Sequence, residues 1–341
     1  MTRRHGTAYR VATALIAAGL TVASGAGVAS AAPIATITMP ECCVNGTVAV
    51  DGSVYALAQR GGGLPGEERA VLVRIDPASN AVTGQRALLS GMSIGDSIDG
   101  EPIAVADGSI WVPMYWHDVV LRIDPLTMQI VARVAVGPSP GSIVSDGHSV
   151  WVALLNGDAV ARIDPGTNIV VATVPVGRGN QDSPFRIAFD GTQVLASLPA
   201  SGRVARIDPR TSRVHYDAVG RDAASCGRIM PAPGGYWLDD TECSASYYRW
   251  DYAAQQITVE VNPQPLNDFG GVVVGDALYT AEFHCGAVAC SHGRLVKWDA
   301  VTGVTLASRH VGEEAFLVHY AAGSFWVGDW DAGALIRVRH F

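Results

Sequence analysis

Short apolar segments with a period of two recur along the chain from about residue 34 onward. The segment 131–136 reads Val-Ala-Arg-Val-Ala-Val, which predicts a strand with one buried face. Such segments are separated by Asp-Gly turns, as at 107–108, where glycine tolerates a positive φ, and by turns in which proline presets φ. The pattern predicts an all-β chain built from consecutive hairpins.

One phrase, Arg-Ile-Asp-Pro after an apolar residue, marks an internal repeat. An aromatic-centred strand such as Ile110-Trp111 precedes most copies, and each repeat reads as four short strands. A period of 40 to 48 residues with four strands per repeat is typical of the blades of a β-propeller. Seven blades are indicated by the recurring basic residue, which stands at Arg74, Arg122, Arg162, Arg206, Arg249, Lys297 and Arg337.

The two ends of the chain are expected to meet in the last blade. The chain ends at Phe341, after only three strands of the seventh repeat, and residues 34–40 are similar to the fourth strand at 171–176. An N-terminal strand that completes the blade leaves no open sheet edge. The prediction is therefore an all-β, seven-bladed β-propeller forming one domain over residues 32–341, with an eight-bladed or open arrangement as the alternative.

The repeated Arg and Asp are interpreted as structural residues. A catalytic role that recurs in every blade would make little sense, whereas the two residue types suit turns and ion pairs between blades. We therefore expect these two residues to stabilise the ring rather than to take part in catalysis.

Residues 1–31 have the organisation of a secretory signal peptide. Arg3, Arg4 and Arg10 form a basic start, residues 11–22 are apolar, and Ala29-Ser30-Ala31 is a cleavage site. The apolar run is too short to span a bilayer well, so a membrane anchor is the less favoured alternative. The prediction is a secreted protein, extracellular or associated with the cell wall, with no stable membrane insertion.

Composition and charge exclude two other classes of protein. Hydrophobic residues make up 48% and charged residues 16%, which excludes a disordered chain. The net charge is −8, and loss of the signal peptide removes three arginines and no acidic residue, so we expect no nucleic-acid partner. We expect a monomer.

Carboxylates recur at one position in the last three blades. The position lies three residues after the central residue of the second strand. In the first four blades this position holds an apolar residue, whereas in the last three it holds Asp240, Glu282 and Asp329. Clustered carboxylates repel one another unless a cation neutralises them, so this arc predicts a Mg²⁺ or Ca²⁺ site. The alternative is that these strand ends simply meet solvent.

Further ligand groups are predicted in the loops of the same face, which surrounds the central channel. Aromatic and polar side chains that ring a funnel suit a small molecule, a glycan or a peptide. The candidate ligand-binding residues are Trp116, His117, Arg186, Arg228, Asp268 and Trp330.

The repeat resembles the YVTN-type and streptogramin B lyase-like propellers over essentially the whole mature chain. The motifs that carry the resemblance are Asp-Gly-Ser-Ile-Trp-Val at 107–112 and Arg-Ile-Asp-Pro-x-Thr at 122–127 and 162–167. The lyase family uses a Glu-x-His pair with Mg²⁺, and Glu282 and His284 match that pair, which implies catalytic roles for both. The preceding blade departs from the family's pattern, because Asp239 and Asp240 stand where a His would be expected.

Six cysteines in an exported chain predict disulfide bonds. The predicted topology places Cys226 and Cys243 on one face of one blade, and Cys285 and Cys290 in one loop, so each pair can be joined. Cys42 and Cys43 are adjacent and could close a strained ring; free thiols or pairing with another chain are the alternatives.

Two main hypotheses for function follow. The first is a binding propeller that holds a small molecule, glycan or peptide at its central funnel, with or without a divalent cation. The second is a metal-dependent, streptogramin B lyase-like lyase or hydrolase that acts on a lactone or cyclic ester. A protein-interaction scaffold at the cell surface is a third possibility.

Overall fold

The computed structural model describes residues 34–41, 43–60, 69–90, 102–179, 182–224, 227–239, 246–262, 267–285 and 290–341. The predicted signal peptide lies outside these residues. The described strands all belong to one compact unit, Ala32–Phe341, which does not include Met1–Ala31.

The described residues form 28 strands in seven antiparallel sheets of four. In chain order the strands are β1 Ile34–Thr38, β2 Cys43–Val50, β3 Ser53–Arg60, β4 Arg69–Asp76, β5 Ala81–Ser90, β6 Ala104–Ala106, β7 Ser109–Met114, β8 Val119–Ile123, β9 Ile130–Ala135, β10 Pro140–Ser145, β11 Val150–Leu154, β12 Ala159–Asp164, β13 Ile169–Pro175, β14 Ile187–Phe189, β15 Val194–Leu198, β16 Arg203–Ile207, β17 Val214–Ala218, β18 Arg228–Ala232, β19 Gly235–Asp239, β20 Tyr247–Asp251, β21 Gln256–Val261, β22 Asn267–Val274, β23 Ala277–Cys285, β24 Cys290–Asp299, β25 Thr305–His310, β26 Ala315–Ala321, β27 Ser324–Asp329 and β28 Ala334–Val338.

These sheets are the blades of a closed seven-bladed propeller, as predicted. Blades 1 to 6 are β2–β5, β6–β9, β10–β13, β14–β17, β18–β21 and β22–β25 in order, and blade 7 consists of β26, β27, β28 and β1. The first strands of successive blades contact one another around the whole ring, including blade 7 with blade 1. The N-terminal strand β1 pairs with β28 from Ile34 opposite Val338 to Thr38 opposite Ala334, which confirms the predicted closure.

The core lies between neighbouring blades. Second strands such as β7 and β27 are buried at every position, whereas the outer strand β21 alternates between exposed and half-buried residues. Trp111 of blade 2 belongs to the same buried cluster as Ile143 and Val152 of blade 3. Trp111, at the centre of the second strand, therefore joins blade 2 to blade 3 by removing apolar surface from water.

The repeated Asp shapes the turn that follows its strand. Asp124 accepts hydrogen bonds from the backbone and hydroxyl of Thr127, and Asp299 accepts the same two from Thr302. These hydrogen bonds hold the pKa of each Asp below its ordinary value because they favour the charged form. The turn role predicted for this Asp is therefore confirmed.

The repeated Arg connects blades as predicted. It does so through hydrogen bonds to acceptors on the next blade and not through the expected ion pairs. Arg74 donates to the Leu126 carbonyl, and Arg122 donates to the Asn168 side chain at 3.0 Å. Ion pairs of the repeat within the described residues, such as Arg122–Asp107 and Arg249–Asp251, lie inside one blade. The expected ion pairs between blades are thus replaced by hydrogen bonds, because the turn of the next blade presents carbonyl and amide oxygens to the guanidinium.

Two faces result from this topology. The funnel face carries the loops between second and third strands and the connections between blades. It includes the short helix α1 Arg221–Ala224 and two 3-10 turns, Tyr115–His117 and Pro199–Ser201. The opposite face carries the hairpin turns between first and second and between third and fourth strands, and we call it the turn face. No helix among the described residues is long and apolar enough to cross a membrane.

Candidate functional site

A cavity of about 210 Å³ lies in the ring of first strands. Blades 1, 5, 6 and 7 contribute to it from their first strands, and Ile103 contributes from the segment just before blade 2. Its polar lining groups are Thr47, Arg228, His319 and Tyr320. Because first strands surround the axis of a propeller, this cavity is part of the central channel.

Arg228 is held in the channel by the local backbone of blade 6. It begins β18 and is only 4% exposed, although it lines the cavity. Gly270 lies beside it at φ +142°, where a bulge interrupts the pairing of β22 with β23, and a Cβ at Gly270 would collide with the Arg228 guanidinium. Glycine is thus required there both by the backbone conformation and by the close approach of a cation.

His319 enters the cavity from β26, next to a strained position. A bulge between Phe316 and Val318 places Leu317 in the left-handed region at φ 52°, which is uncommon for a residue with a side chain. His319 is 8% exposed, and burial together with the charge of Arg228 lowers its pKa to about 3. His319 is therefore neutral at physiological pH.

Two buried polar atoms on the cavity wall have no hydrogen-bond partner among the described residues. They are Nε2 of His319 and the hydroxyl oxygen of Thr47. A buried polar group without a hydrogen-bond partner lowers the stability of the fold by about 1–3 kcal/mol, so such groups normally bind protein, water or a ligand. A guanidinium, a neutral imidazole and a hydroxyl together can bind a group rich in oxygen acceptors.

The predicted residues Trp116 and His117 lie at the rim of the funnel face. Both are exposed, and the Trp116 ring, 58% exposed, contacts Tyr115 edge to face at 4.8 Å. Asn156 of the next blade donates to the Tyr115 hydroxyl at 3.3 Å, which ties the two loops together. An exposed indole on a braced loop offers a stacking surface.

Of the remaining predicted ligand groups, two are packed into the protein. Arg186 is 4% exposed, and its guanidinium stacks on Phe185 at 4.2 Å. Trp330 is half-buried and packs against Phe316 edge to face at 4.9 Å. Asp268 lies opposite Glu282 in the pairing of β22 with β23, and its side chain lies outside the described residues. Among the predicted ligand residues whose side chains are described, Arg228 alone lines the cavity.

Glu282 and His284 occupy different environments. Glu282 is 3% exposed and accepts a hydrogen bond from Thr280 at 2.9 Å, and Trp298 donates to the same Thr280 hydroxyl. Burial raises the pKa of Glu282 to about 7, with the Thr280 hydrogen bond and the charge of Arg294 opposing the shift. His284 is exposed, beyond an irregularity in the pairing of β23 with β24.

The described carboxylates of the acidic arc do not fit a metal centre as they stand. Asp329 is buried and accepts backbone hydrogen bonds from Glu313 and Ala332, so its oxygens brace two loops of blade 7. Within the described ranges, no three His, Cys, Asp or Glu side chains come together as ligands. Asp240 lies outside those ranges, so the metal site remains a prediction.

The disulfide pairings also remain predictions. Cys42, Cys226 and Cys243 lie outside the described residues, as does the side chain of Cys43. Cys285 and Cys290 are direct partners in the pairing of β23 with β24, but their side chains are not described.

Sequence reasoning missed Thr47 and His319 as site residues. Thr47 belongs only to the formal glycosylation sequon Asn45-Gly46-Thr47, and His319 could approach the funnel but belongs to no motif. The signal that could have identified them is position, because both lie in first strands, which line the axis of a propeller.

No protein-family model and no curated protein matches the chain. Solved structures do match. Streptogramin B lyase superposes with a TM-score of 0.64 at 12% identity, covering 89% of this chain and 96% of that chain. The RRP9 WD40 repeats give a TM-score of 0.68 at 10% identity, with coverages of 89% and 96%.

BamB from Moraxella catarrhalis gives a TM-score of 0.59 at 10% identity, covering 89% of this chain and 98% of that chain. At such identities a match shows the fold alone, and propellers carry many unrelated functions. The chain thus has a seven-bladed propeller fold consistent with a streptogramin B lyase-like propeller, as its repeat predicted.

Proposed function

We propose that this protein is a secreted binding propeller that holds a small molecule, glycan or peptide at its central funnel. The observation that carries the proposal is the meeting of Arg228, His319 and Thr47 at one buried cavity of the central channel. Two of these side chains have polar atoms that no described residue satisfies. A bound ligand would meet that need.

The cavity dimensions and chemistry restrict the ligand. A volume of about 210 Å³ is smaller than the roughly 300–1,000 Å³ of pockets that enclose a whole drug-sized molecule. The channel therefore takes one group of the ligand while the remainder lies in the funnel, where Trp116 can stack on it. The guanidinium of Arg228 favours an anionic or hydroxyl-rich group, such as a carboxylate or the edge of a sugar.

The test is a thermal-shift screen of the purified protein with monosaccharides, hydroxy acids and short peptides. A ligand that binds only the folded state raises the melting temperature by linkage. We expect at least one class to do so, and we expect Thr47→Val and Arg228→Gln to weaken its binding at least tenfold by calorimetry. Thr173→Val, on an exposed outer strand, is the matched control and should bind normally.

The channel site would be rejected if a ligand bound the wild-type protein and both channel variants with equal affinity. If no class of ligand raised the melting temperature, the binding function itself would be rejected.

A divalent cation is the second part of this proposal, and it is tested separately. The melting temperature is measured in EDTA and then with Mg²⁺ or Ca²⁺ at millimolar concentration. An increase that is lost in Asp240→Asn, Glu282→Gln and Asp329→Asn would establish the predicted metal site. No change in melting temperature would reject the predicted metal site.

The lyase hypothesis is the second candidate function, and Glu282 favours it. A carboxyl with a pKa of about 7 is suited to general acid or base chemistry near neutral pH. The test is cleavage of a cyclic ester such as a lactone-closed peptide, followed by mass spectrometry. Turnover that disappears in the Glu282→Gln, His284→Ala double variant would support an enzyme. A ligand that binds at the funnel and is not turned over would reject the lyase hypothesis.

Export is tested by sequencing the N-terminus of protein recovered from the culture medium, which is expected to begin at Ala32. The mass of that protein in solution, measured by light scattering, tests the expected monomer.

A further inference from the structure

A cleft of about 610 Å³ lies between blades 3 and 4, on the turn face. Its lining includes Arg162 of the repeated phrase, Thr192 and Gln193 from the first hairpin of blade 4, and Pro209 and Arg210 from the last turn of that blade. It is therefore on the opposite face from the funnel.

The arginines at the equivalent position of blades 1, 2 and 5 use every nitrogen of the guanidinium in contacts with protein. Arg122 donates to the hydroxyl of Ser109 and pairs with Asp107 inside its blade, and it donates to the Pro165 carbonyl and Asn168 side chain of blade 3. These contacts use all three nitrogens of its guanidinium.

Arg162 keeps only the first of these hydrogen bonds. Its Nε donates to the Ser149 hydroxyl at 2.8 Å, and its guanidinium stacks on Trp151 at 5.2 Å. Neither of its terminal nitrogens donates to any group among the described residues. Arg162 lines the cleft, so its two terminal nitrogens are available there as charged donors. In Arg122 the same two nitrogens donate to Asp107 and to acceptors of blade 3.

Two sequence differences account for the lost contacts to the turn aspartate and to the asparagine side chain. The first hairpin turn of blade 3 contains the extra residue His148, and Asp146 accepts a hydrogen bond from the Trp151 indole instead of pairing with Arg162. In the next blade, Ser212 takes the left-handed position that Asn168 occupies in blade 3, at φ 56° in both. A serine side chain is too short to provide the amide oxygen that Arg122 reaches.

Other polar groups of the cleft define what could bind there. The side-chain oxygen of Gln193 is buried and has no hydrogen-bond partner among the described residues. Asp146 and Asp208 also line the cleft, but Asp146 accepts three hydrogen bonds from its own turn and from Trp151, and Asp208 accepts two from the backbone of its turn. A ligand that fits this cleft therefore carries a hydrogen-bond acceptor for the Arg162 guanidinium and a hydrogen-bond donor for the Gln193 side-chain oxygen.

A second cavity of about 390 Å³ extends the cleft along the turn face. Thr192 lines both cavities, and the second continues past Pro231 and Tyr252 to Gly275 of blade 6. The two cavities together give an extended path over several blades, which fits a chain molecule better than an isolated ion.

We propose that this cleft binds a peptide through a carboxylate at Arg162. The carboxylate accepts from the two terminal nitrogens, a backbone N–H of the same peptide donates to the Gln193 oxygen, and the chain continues past Thr192 into the second cavity. A bidentate arginine–carboxylate pair is among the strongest hydrogen-bonded contacts, and a peptide supplies both the acceptor and the donor.

The experiment follows the arginine Nε–Hε signals of the full ¹⁵N-labelled protein by NMR. The probes are sodium acetate, sodium chloride at the same ionic strength, and the peptide acetyl-Gly-Ser-Ala-Ser-Gly-Ala with a free or an amidated C-terminus. We expect acetate and the free peptide, but not chloride, to shift the Arg162 signal with saturation. The Arg122 signal in the same spectrum is the internal control and should not move.

The free peptide is expected to bind at least tenfold more tightly than acetate and than its amide. Arg162→Gln should weaken it at least tenfold, and Thr192→Trp, at an exposed residue between the two cavities, should reduce its affinity to that of acetate. Equal shifts with chloride, or equal binding of the amidated peptide, would overturn the carboxylate site. A free peptide no tighter than acetate would overturn the peptide ligand and identify a small carboxylic acid instead.

Discussion

The guanidinium of Arg337 donates to the Asn80 side chain at 2.9 Å, although the two residues are separated by 257 positions. Arg337 lies in the last blade and Asn80 in the first, and the same guanidinium also donates to the Pro77 carbonyl and to Ser324. This contact and the pairing of β1 with β28 join the two ends of the chain. The closed ring therefore depends on residues that are far apart in sequence.

Removal of this contact should destabilise the ring more than removal of its counterpart in blade 3. Arg337→Ala is expected to lower the free energy of unfolding by roughly 2–4 kcal/mol, because one buried and two partly buried acceptors lose a charged donor. Arg162→Ala should cost below about 1 kcal/mol, because that arginine makes one hydrogen bond within its own blade. Urea unfolding measures both, and equal losses would contradict the assignment of Arg162 to a ligand site.

The closing strand offers a comparison of two isoleucines three residues apart. Ile37 is 4% exposed and packs in one cluster with Trp326 and Leu335, whereas Ile34 is 42% exposed. Ile37→Ala should cost about 2–4 kcal/mol of unfolding free energy, and Ile34→Ala should change it by no more than about 0.5 kcal/mol. Similar losses from both variants would show that β1 does not close the ring in this register.

Glu282 should make the fold less stable as the pH rises. Its pKa is about 7 in the folded protein and near 4.5 in the unfolded chain, so the folded state keeps a proton that the unfolded chain releases. As the pH rises from 4.5 to 7, this difference lowers the free energy of unfolding by roughly 3 kcal/mol, at about 1.4 kcal/mol per pKa unit. Glu282→Gln should remove this loss and be more stable than the wild type at pH 8, as measured by urea unfolding across the pH range.

His319 should have the opposite effect. Its pKa is about 3 when folded and 6.5 when unfolded, so the unfolded chain takes up a proton below pH 6.5 that the folded protein does not. Stability is therefore lost as the pH falls from 6.5 toward 3. His319→Gln cannot titrate and should flatten this part of the profile. An unchanged slope in the variant would mean that His319 is hydrated in the folded state.

The fold was predictable because its determinants are local and repeated. Asp124 orders its own turn through Thr127, and Trp111 sits at the centre of a strand that is buried throughout, so each blade can be identified from its own 40 to 48 residues. The closing strand was predictable for the same reason, since residues 34–40 repeat a pattern present at 171–176.

The candidate site was only partly predictable. Arg228 was identified from its loop position, but Arg186 occupies a similar position before β14 and stacks on Phe185 instead. Asp329 was expected as a metal ligand, yet its oxygens accept backbone hydrogen bonds from two loops. The orientation of such a side chain depends on bulges and glycines in the neighbouring blade, as the orientation of Arg228 depends on Gly270. The repeated pattern of a single blade does not specify these features of its neighbour.

The sequence by itself determined the number of blades, the closure of the ring and the turn chemistry, because period, alternation and Asx turns act within a few residues. Only the tertiary structure decided which polar groups remain without a partner. His319 and Thr47 line the same cavity from the neighbouring blades 7 and 1, and Arg162 differs from Arg122 through a residue of the next blade and one extra residue in its own turn. Both outcomes depend on distances between blades, which no pattern within one blade specifies.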